Sequence, residues 1–201
     1  QGWSAPDLVE SLRVAAAGRH VLAWAGNAEQ ERAWIASGID GRVPSDALSI
    51  SVINVGANKL DVYLDTKAKV RSVSVLAEGT SRKKRVRVAI SISNNTPTGL
   101  GRYAAGPFPG KPYAEGEYAG ILALNVPRNA SRIRLSGVDA PVARGPEGAA
   151  TVIAGSFRVL RGSSRDFVLS FEVPDTSSTI SVRSSARVPA TLWSYRGVEW
   201  R

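Results

Sequence analysis

The sequence of 201 residues contains no cysteine, no methionine and a single histidine, and only 7% of its residues are aromatic. Without cysteine, the chain has no disulfide framework, no thiolate nucleophile and no sulfur ligand for zinc. The lone histidine, His20, excludes a histidine-rich metal site. No apolar run approaches the roughly 18 to 20 residues that a membrane span requires, and the start does not resemble a signal peptide. We therefore predict no cofactor, no metal site and no membrane span in this sequence.

The charge is unbalanced, with 26 Lys and Arg against 17 Asp and Glu, which gives a formal net charge of +9. Such an excess favours acidic partners: nucleic acid, an anionic lipid surface or an anionic cell-wall polymer. Ordinary solubility is the alternative explanation. The 43% hydrophobic content is enough to form the core of one compact unit. Because the chain begins at Gln1 and lacks methionine, we expect it to be a processed or trimmed part of a longer product.

The N-terminal part of the chain shows the 3.6-residue period of amphipathic helices. Two favourable N-cap residues, Ser4 and Asn27, predict helices over residues 5–17 and 28–37. Between these helices, the apolar run 21–24 predicts a short strand. The sequence therefore predicts a helix-strand-helix segment at the N-terminus.

The rest of the chain has the period of 2 that half-buried strands show. Over Val86–Ile92, branched apolar residues alternate with arginine, alanine and serine. This pattern predicts an antiparallel β-sandwich of Ig-like or Greek-key type, since about ten short strands follow without an intervening helix. We expect an N-terminal α/β segment, 1–45, packed on the main domain, and a β-sandwich domain, 46–201. The predicted strands cover residues 48–55, 59–65, 69–77, 83–92, 118–126, 131–136, 151–160, 167–173, 179–183 and 190–196.

A long connection rich in proline and glycine, residues 95–117, interrupts the strand pattern. Long connections without secondary structure are uncommon in compact domains and are often functional. This one carries three aromatic residues, and aromatic rings pack on the C–H faces of sugars as they do on other apolar surfaces. The candidate residues for binding a glycan are Tyr103, Phe108, Tyr113 and Arg102.

A basic cluster lies on two strands, 69–77 and 83–92, that we expect to form a hairpin about Gly79. Residues of odd number then share one face, and like charges so close are unfavourable without an anion. The alternative is a charged edge strand that prevents aggregation. Nucleic acid is the weaker polyanion candidate because no aromatic residues interleave with the cluster. The candidate polyanion-binding residues are Lys69, Arg71, Arg82, Lys83, Lys84, Arg85 and Arg87.

Patterns typical of catalysis are scarce. A Ser/His/Asp triad could use only His20, whose position beside an apolar run favours a structural role. On an extended strand, Asp61 and Asp65 would be about 13 Å apart, too far for glycoside hydrolysis. We therefore predict no catalytic residues. The distant carboxylate pairs that stay open are Glu115 or Glu117 with Asp139.

One succession of motifs resembles a known family. The run 58–64, Asn-Lys-Leu-Asp-Val-Tyr-Leu, is followed by a basic strand, by Asn-Asn-Thr-Pro at 94–97, by Tyr103 and by Val-Pro at 173–174. Together with the upstream stretch 18–41, this succession resembles the C-terminal part of domain-of-unknown-function family 4012. Members of that family are typically exported or membrane-anchored proteins of actinobacteria. The resemblance implies an extracellular or cell-envelope location, and it supplies no catalytic residues.

Taken together, these features predict a non-enzymatic extracytoplasmic module that binds or organises an anionic or neutral surface polysaccharide, or a partner protein, of the cell envelope. One alternative is the accessory C-terminal half of a larger envelope-polymer enzyme. Another is a pure assembly module. Exposed aromatic residues in the loop would favour glycan binding, and carboxylates that converge in a cleft would favour the enzyme. A contiguous exposed apolar patch would favour the assembly module.

Overall fold

The computed structural model describes residues 4–78, 81–176, 180–183 and 185–200. Two β-sheets pack face to face around a common hydrophobic core, which confirms the predicted β-sandwich. The predicted turn at 79–80 and residue 179 of the predicted strand 179–183 lie outside the described residues. The strands are β1 (Ala47–Asn54), β2 (Leu64–Glu78), β3 (Ser81–Asn94), β4 (Tyr118–Pro127), β5 (Ser131–Ser136), β6 (Ala140–Glu147), β7 (Ala150–Val159), β8 (Ser164–Pro174), β9 (Ser181–Arg183), β10 (Leu192–Tyr195) and β11 (Val198–Trp200).

Both predicted helices are present, as α1 (Ala5–Ala17) and α2 (Ala28–Ser37). The side chains of Ser4 and Asn27 accept hydrogen bonds from backbone N–H groups of the first turns, as their N-cap positions predict. The predicted strand over 21–24 is wrong, because this run is irregular and largely exposed. Apolar residues alone therefore did not distinguish a strand from an irregular connection.

The strand order is β6-β7-β4-β1-β9 in the first sheet and β11-β10-β2-β3-β8-β5 in the second. Most pairings are antiparallel, as predicted. The short strands β9 and β10 instead pair in parallel with β1 and β2. The sheets are thus mixed. The sequence did not predict the parallel pairings, because alternation along a strand shows which face is buried and not the direction of the neighbouring strand.

The hairpin of β2 and β3 contains a β-bulge that changes which residues share a face. The ladder pairs Val70 with Val88 and then Ser72 with Arg87, so Arg71 is the extra residue. On the other side of β3, Arg87 lies opposite Ser170 of β8. The three strands therefore form a continuous surface from β2 to β8.

Aromatic side chains fill the centre of the sandwich. The rings of Tyr118 and Phe157 are stacked with centroids 5.9 Å apart, and Phe167 meets Phe157 edge-on at 5.3 Å. Trp193 of β10 is buried with them. Large rings in these geometries account for much of the packing between the two sheets.

Further elements differ from the prediction. The predicted strand over 59–65 begins only at β2, because Asp61–Tyr63 forms a 3₁₀ turn. Strands β6 and β11 were not predicted: β11 is only three residues long, and β6 lacks alternation and contains Pro141 and Pro146. Proline is tolerated there because β6 is at the edge of its sheet.

The core packing predicts a large stability difference between two apolar positions. Phe167→Ala removes a buried ring and should lower the free energy of unfolding by about 3 to 5 kcal/mol. The control, Leu160→Ala, truncates a side chain that is 57% exposed and should change it by less than about 0.5 kcal/mol. Urea unfolding measures both, and equal losses would contradict this description of the core.

Candidate functional site

Basic side chains of β2 and β3 line an open groove of about 400 Å³ on the outer face of the second sheet. Its floor includes Ala89 and Ser91 of β3 and Val168 of β8, and Asp166 lies at its side. We call this surface the basic groove. Its basic residues are Lys67, Lys69, Arg71 and Arg87.

The strand register explains why a groove forms here. Lys67 and Lys69 lie two residues apart on β2, so both point outward and their Cα atoms are about 7 Å apart. Their partners on β3 are the small residues Ser91 and Ala89, which leave room beside the lysines. Arg71, two residues beyond Lys69, places a third cation of β2 in the same groove by the same alternation.

The groove carries a clear excess of positive charge. Among the residues that the structure describes, Lys67, Lys69, Arg71 and Arg87 form no ion pair, although Asp166 also lines the groove. Like charges held on adjacent strands repel one another. This arrangement favours an anion bound above the floor.

Arg85 lies on the same face as Arg87, as predicted, but it is bound to a buried carboxylate. Its guanidinium donates to Glu172 Oε1 through Nε at 3.1 Å and Nη2 at 2.5 Å. Arg132 Nη1 lies 3.5 Å from Oε2 of the same glutamate, whose side chain is only 2% exposed. The hydrogen bond from Arg85 is the main cause that holds the pKa of Glu172 below its ordinary value, against the opposing effect of burial.

The rest of the predicted cluster also lies among carboxylates. Arg82 Nε and Lys84 Nζ lie 3.4 and 3.5 Å from the carboxylate of Asp175. The charge of Lys83 contributes to the lowered pKa of Glu172. The seven predicted residues therefore separate into ion-paired cations along β3 and a set, Lys69, Arg71 and Arg87, that has no ion-pair partner within the described residues. The sequence did not show this division, because the carboxylates lie about ninety residues further along the chain.

The connection 95–117 contains one helical turn, Arg102–Ala105, and is otherwise irregular. Tyr103 is 73% exposed, and Lys59 Nζ lies 5.8 Å from its ring centroid. Tyr103 is therefore exposed to solvent, and its role in binding a glycan stays a prediction.

The other candidates in this connection have intramolecular roles. The guanidinium of Arg158 lies over the ring of Tyr113 at 4.8 Å, and Phe108 is half-buried. Arg102 Nε donates to the carbonyl of Pro107 at 3.1 Å. In the part of the chain that the structure describes, no ring contact joins Tyr103 to the other two rings. The structure thus does not gather the three aromatic residues into one platform.

The run that resembles family 4012 forms a polar cluster at one end of the sandwich. Asn54 Nδ2 donates to Asp61 Oδ2 at 2.8 Å and to Asn58 Oδ1 at 2.9 Å. The hydroxyl of Tyr118 donates to Asp61 Oδ1 at 3.0 Å, and burial together with this carboxylate raises the pKa of Tyr118 well above its ordinary value. These contacts give Asp61 a structural role in joining β1, the 3₁₀ turn and β4.

The remaining candidates for catalysis lie apart from one another. His20 is exposed after the end of α1, and Asp65 accepts a hydrogen bond from Asn95. Across the described residues, no group of His, Asp and Glu side chains is arranged to hold a metal ion. The three other carboxylates each contact a different arginine: Glu115 with Arg161, Glu117 with Arg158, and Asp139 with Arg165.

Comparisons with protein-family models, with curated proteins and with solved structures find no match. The resemblance to family 4012 and the envelope location therefore stay predictions. No helix in the described ranges is long and apolar enough to cross a membrane. A function for this chain has to be argued from its own geometry.

The division of the basic cluster predicts opposite results for two neighbouring arginines on β3. Arg85→Ala leaves Glu172 buried with a weaker set of partners and should lower the free energy of unfolding by about 1.5 to 3 kcal/mol. Arg87→Ala removes an exposed cation without an ion-pair partner among the described residues and should change stability by less than about 0.5 kcal/mol. Chemical unfolding at neutral pH measures both.

The cost of Arg85→Ala should also depend on pH. The folded-state pKa of Glu172 is lowered, so the stabilisation is present above the unfolded pKa of about 4.3 and is lost as pH falls through the folded value. The wild type and Arg85→Ala should therefore converge in stability in acid. A difference that persists unchanged would show that Arg85 acts through packing and not through Glu172.

Proposed function

We propose that this chain is a non-catalytic extracytoplasmic module that binds an anionic polysaccharide of the cell envelope through the basic groove. The observation that carries the proposal is the gathering of Lys67, Lys69, Arg71 and Arg87 on one face without ion-pair partners among the described residues. A bound polyanion supplies the missing negative charge.

The edge-strand explanation does not account for three of these residues. Lys67 and Lys69 lie on the part of β2 that is paired with β10 on one side and β3 on the other. Arg87 lies on β3, between β2 and β8. A residue flanked by strands on both sides protects no free edge. Their positive charge therefore calls for a different role, which anion binding provides.

The floor of the groove favours a saccharide over a nucleic acid. Its outward-facing residues are small, namely Ala89, Ser91 and Val168, and the ring of Phe167 beneath them is buried in the core. Nucleic-acid sites that bind single strands stack bases on exposed aromatic rings. A shallow floor with a row of cations suits an extended chain of saturated rings that carry carboxylates.

The envelope location rests on the resemblance to family 4012 and is part of the proposal. The exposed ring of Tyr103 belongs to the connection 95–117, outside the lining of the basic groove. It does not enter the proposal, because the structure does not combine it with Phe108 and Tyr113. A partner protein and an accessory role in a larger envelope-polymer enzyme remain the alternatives.

Charge reversal in the groove should abolish binding of a carboxylated glycan. The triple variant Lys69→Glu, Arg71→Glu and Arg87→Glu removes three contacts of about 1 kcal/mol each, so the affinity should fall by at least about 100-fold. Isothermal titration with polygalacturonate at low salt measures the loss. Folding of the variant is checked by its melting temperature.

The matched control is the triple variant Arg32→Glu, Lys111→Glu and Arg144→Glu, which changes the net charge equally at exposed positions outside the groove. Its affinity for polygalacturonate should stay within about three-fold of the wild type.

Binding of polygalacturonate to the wild type should also weaken steeply as salt rises, since the Debye length falls from roughly 10 Å at 0.1 M to 3 Å at 1 M. Equal losses in the two triple variants, or tighter binding of single-stranded DNA than of the glycan, would refute the proposal.

A further inference from the structure

A second, smaller pocket lies on the opposite side of the sandwich. Its volume is about 270 Å³, and it lies between the outer face of the first sheet and the N-terminal segment. Leu48 and Ile50 of β1 point into the core, so the alternate serines of that strand point outward into this pocket. We call it the polar pocket, and its polar side chains are those of Arg19, Ser49, Ser51, Asn125, Glu147, Arg183 and Ser185.

A chain of hydrogen bonds holds part of the pocket in place. Ser49 Oγ donates to Asn125 Oδ1 at 3.1 Å, and Asn125 Nδ2 donates to Glu147 Oε2 at 2.6 Å. Ser49 and Asn125 are nearly buried, at 7% and 9% exposure. Three strands of the first sheet, β1, β4 and β6, thus fix the orientation of the Glu147 carboxylate.

Several hydrogen-bonding groups remain open in the pocket. In the described residues, Glu147 Oε1, the Ser51 hydroxyl and the Arg183 guanidinium have no hydrogen-bond partner. The buried hydroxyl oxygen of Ser185 is also without one. Since buried polar atoms are normally hydrogen-bonded, this hydroxyl is available to a group bound in the pocket.

The mixture of charges limits what that group can be. Arg19 also lines the pocket, but its guanidinium donates to the carbonyls of Gly41 and Arg42, which leaves Glu147 and Arg183 as the charged groups open to a ligand. A vicinal diol both donates to a carboxylate and accepts from a guanidinium, whereas a simple anion would be repelled by Glu147 and a simple cation by the two arginines. The pocket also has apolar walls, from Leu22, Val43 and Ala186, against which the C–H face of a ring can pack. Its volume is just below the roughly 300 to 1,000 Å³ of common ligand sites.

We propose that the polar pocket binds one uncharged sugar ring, with Glu147 accepting from its hydroxyls and Arg183 donating to them. This site is separate from the basic groove, because the two lie on the outer faces of different sheets. It also takes a different chemical class, a neutral polyol and not a polyanion. The proposal does not rest on the proposed function, and either can fail without the other.

The test is saturation-transfer NMR followed by titration with glucose, galactose, mannose and N-acetylglucosamine. Salt of about 1 M screens the basic groove during these measurements. At least one sugar should bind with a Kd below about 50 mM, as a single ring with few contacts allows. If none does, the proposal is wrong.

Two tryptophan variants locate the binding. Ser51→Trp fills the pocket and should weaken the sugar by at least about ten-fold. Ile53→Trp places the same ring two residues further along the outer face of β1, at a position outside the pocket lining, and should leave the Kd within about two-fold. Equal effects of the two variants would overturn the assignment.

A second, isosteric variant tests the pocket even if Ser51→Trp does not fold. Glu147→Gln keeps the shape of the side chain and removes its charge, and it should weaken the sugar by about three- to ten-fold, since a hydrogen bond to a charged group is the stronger one. Unchanged affinity in this variant would contradict the role of Glu147. Binding of glycine or alanine in place of every sugar would identify a site for amino acids and refute the proposal.

Discussion

The alternation of side chains along β2, β3 and β8 is the constraint on which the rest of the molecule depends. Val88 and Ile90 of β3 are buried in the core, and the pleat then obliges Arg87, Ala89 and Ser91 to point outward. A shift of one residue in register would exchange these two sets and bury arginine. The groove and the core are therefore two consequences of a single register, since the residues that exclude water from one face place the cations on the other.

Neighbouring carboxylates determine which of those basic side chains are ion-paired within the protein and which are open to a ligand. Glu172 binds Arg85 and attracts Arg132, and Asp175 lies beside Arg82 and Lys84. These residues hold β3, β5 and β8 together at one end of the second sheet. The cations of the basic groove lie on β2 and further along β3, where the residues opposite them are small. Position relative to a carboxylate, more than the local density of charge, separates the ion-paired basic residues from those that we propose bind a ligand.

Much of the fold could be predicted from the sequence, because local rules govern it. Capping by Ser4 and Asn27 located both helices, and the period of 2 located most strands of the sandwich. Strand β6 was not predicted because its prolines interrupt the alternation of apolar and polar residues. The bulge at Arg71 was not predicted because alternation along one strand does not show how its residues pair with those of the next strand. The site was predicted only in part. Lys69, Arg71 and Arg87 were predicted to share a face and do line one groove, whereas the pairing of Arg85 with Glu172 depends on the register of β3 with the distant strand β8.

The central claim, that the outer face of β2, β3 and β8 binds a polyanion, is tested most directly by mapping a ligand on the folded protein. Backbone amide chemical shifts would be followed by NMR during titration with a short oligogalacturonate. The account predicts that the largest changes fall on residues 67–71, 87–91 and 166–168, with the first sheet nearly unaffected. Changes confined to the connection 95–117 or to the N-terminal helices, or no saturable change at all, would contradict it.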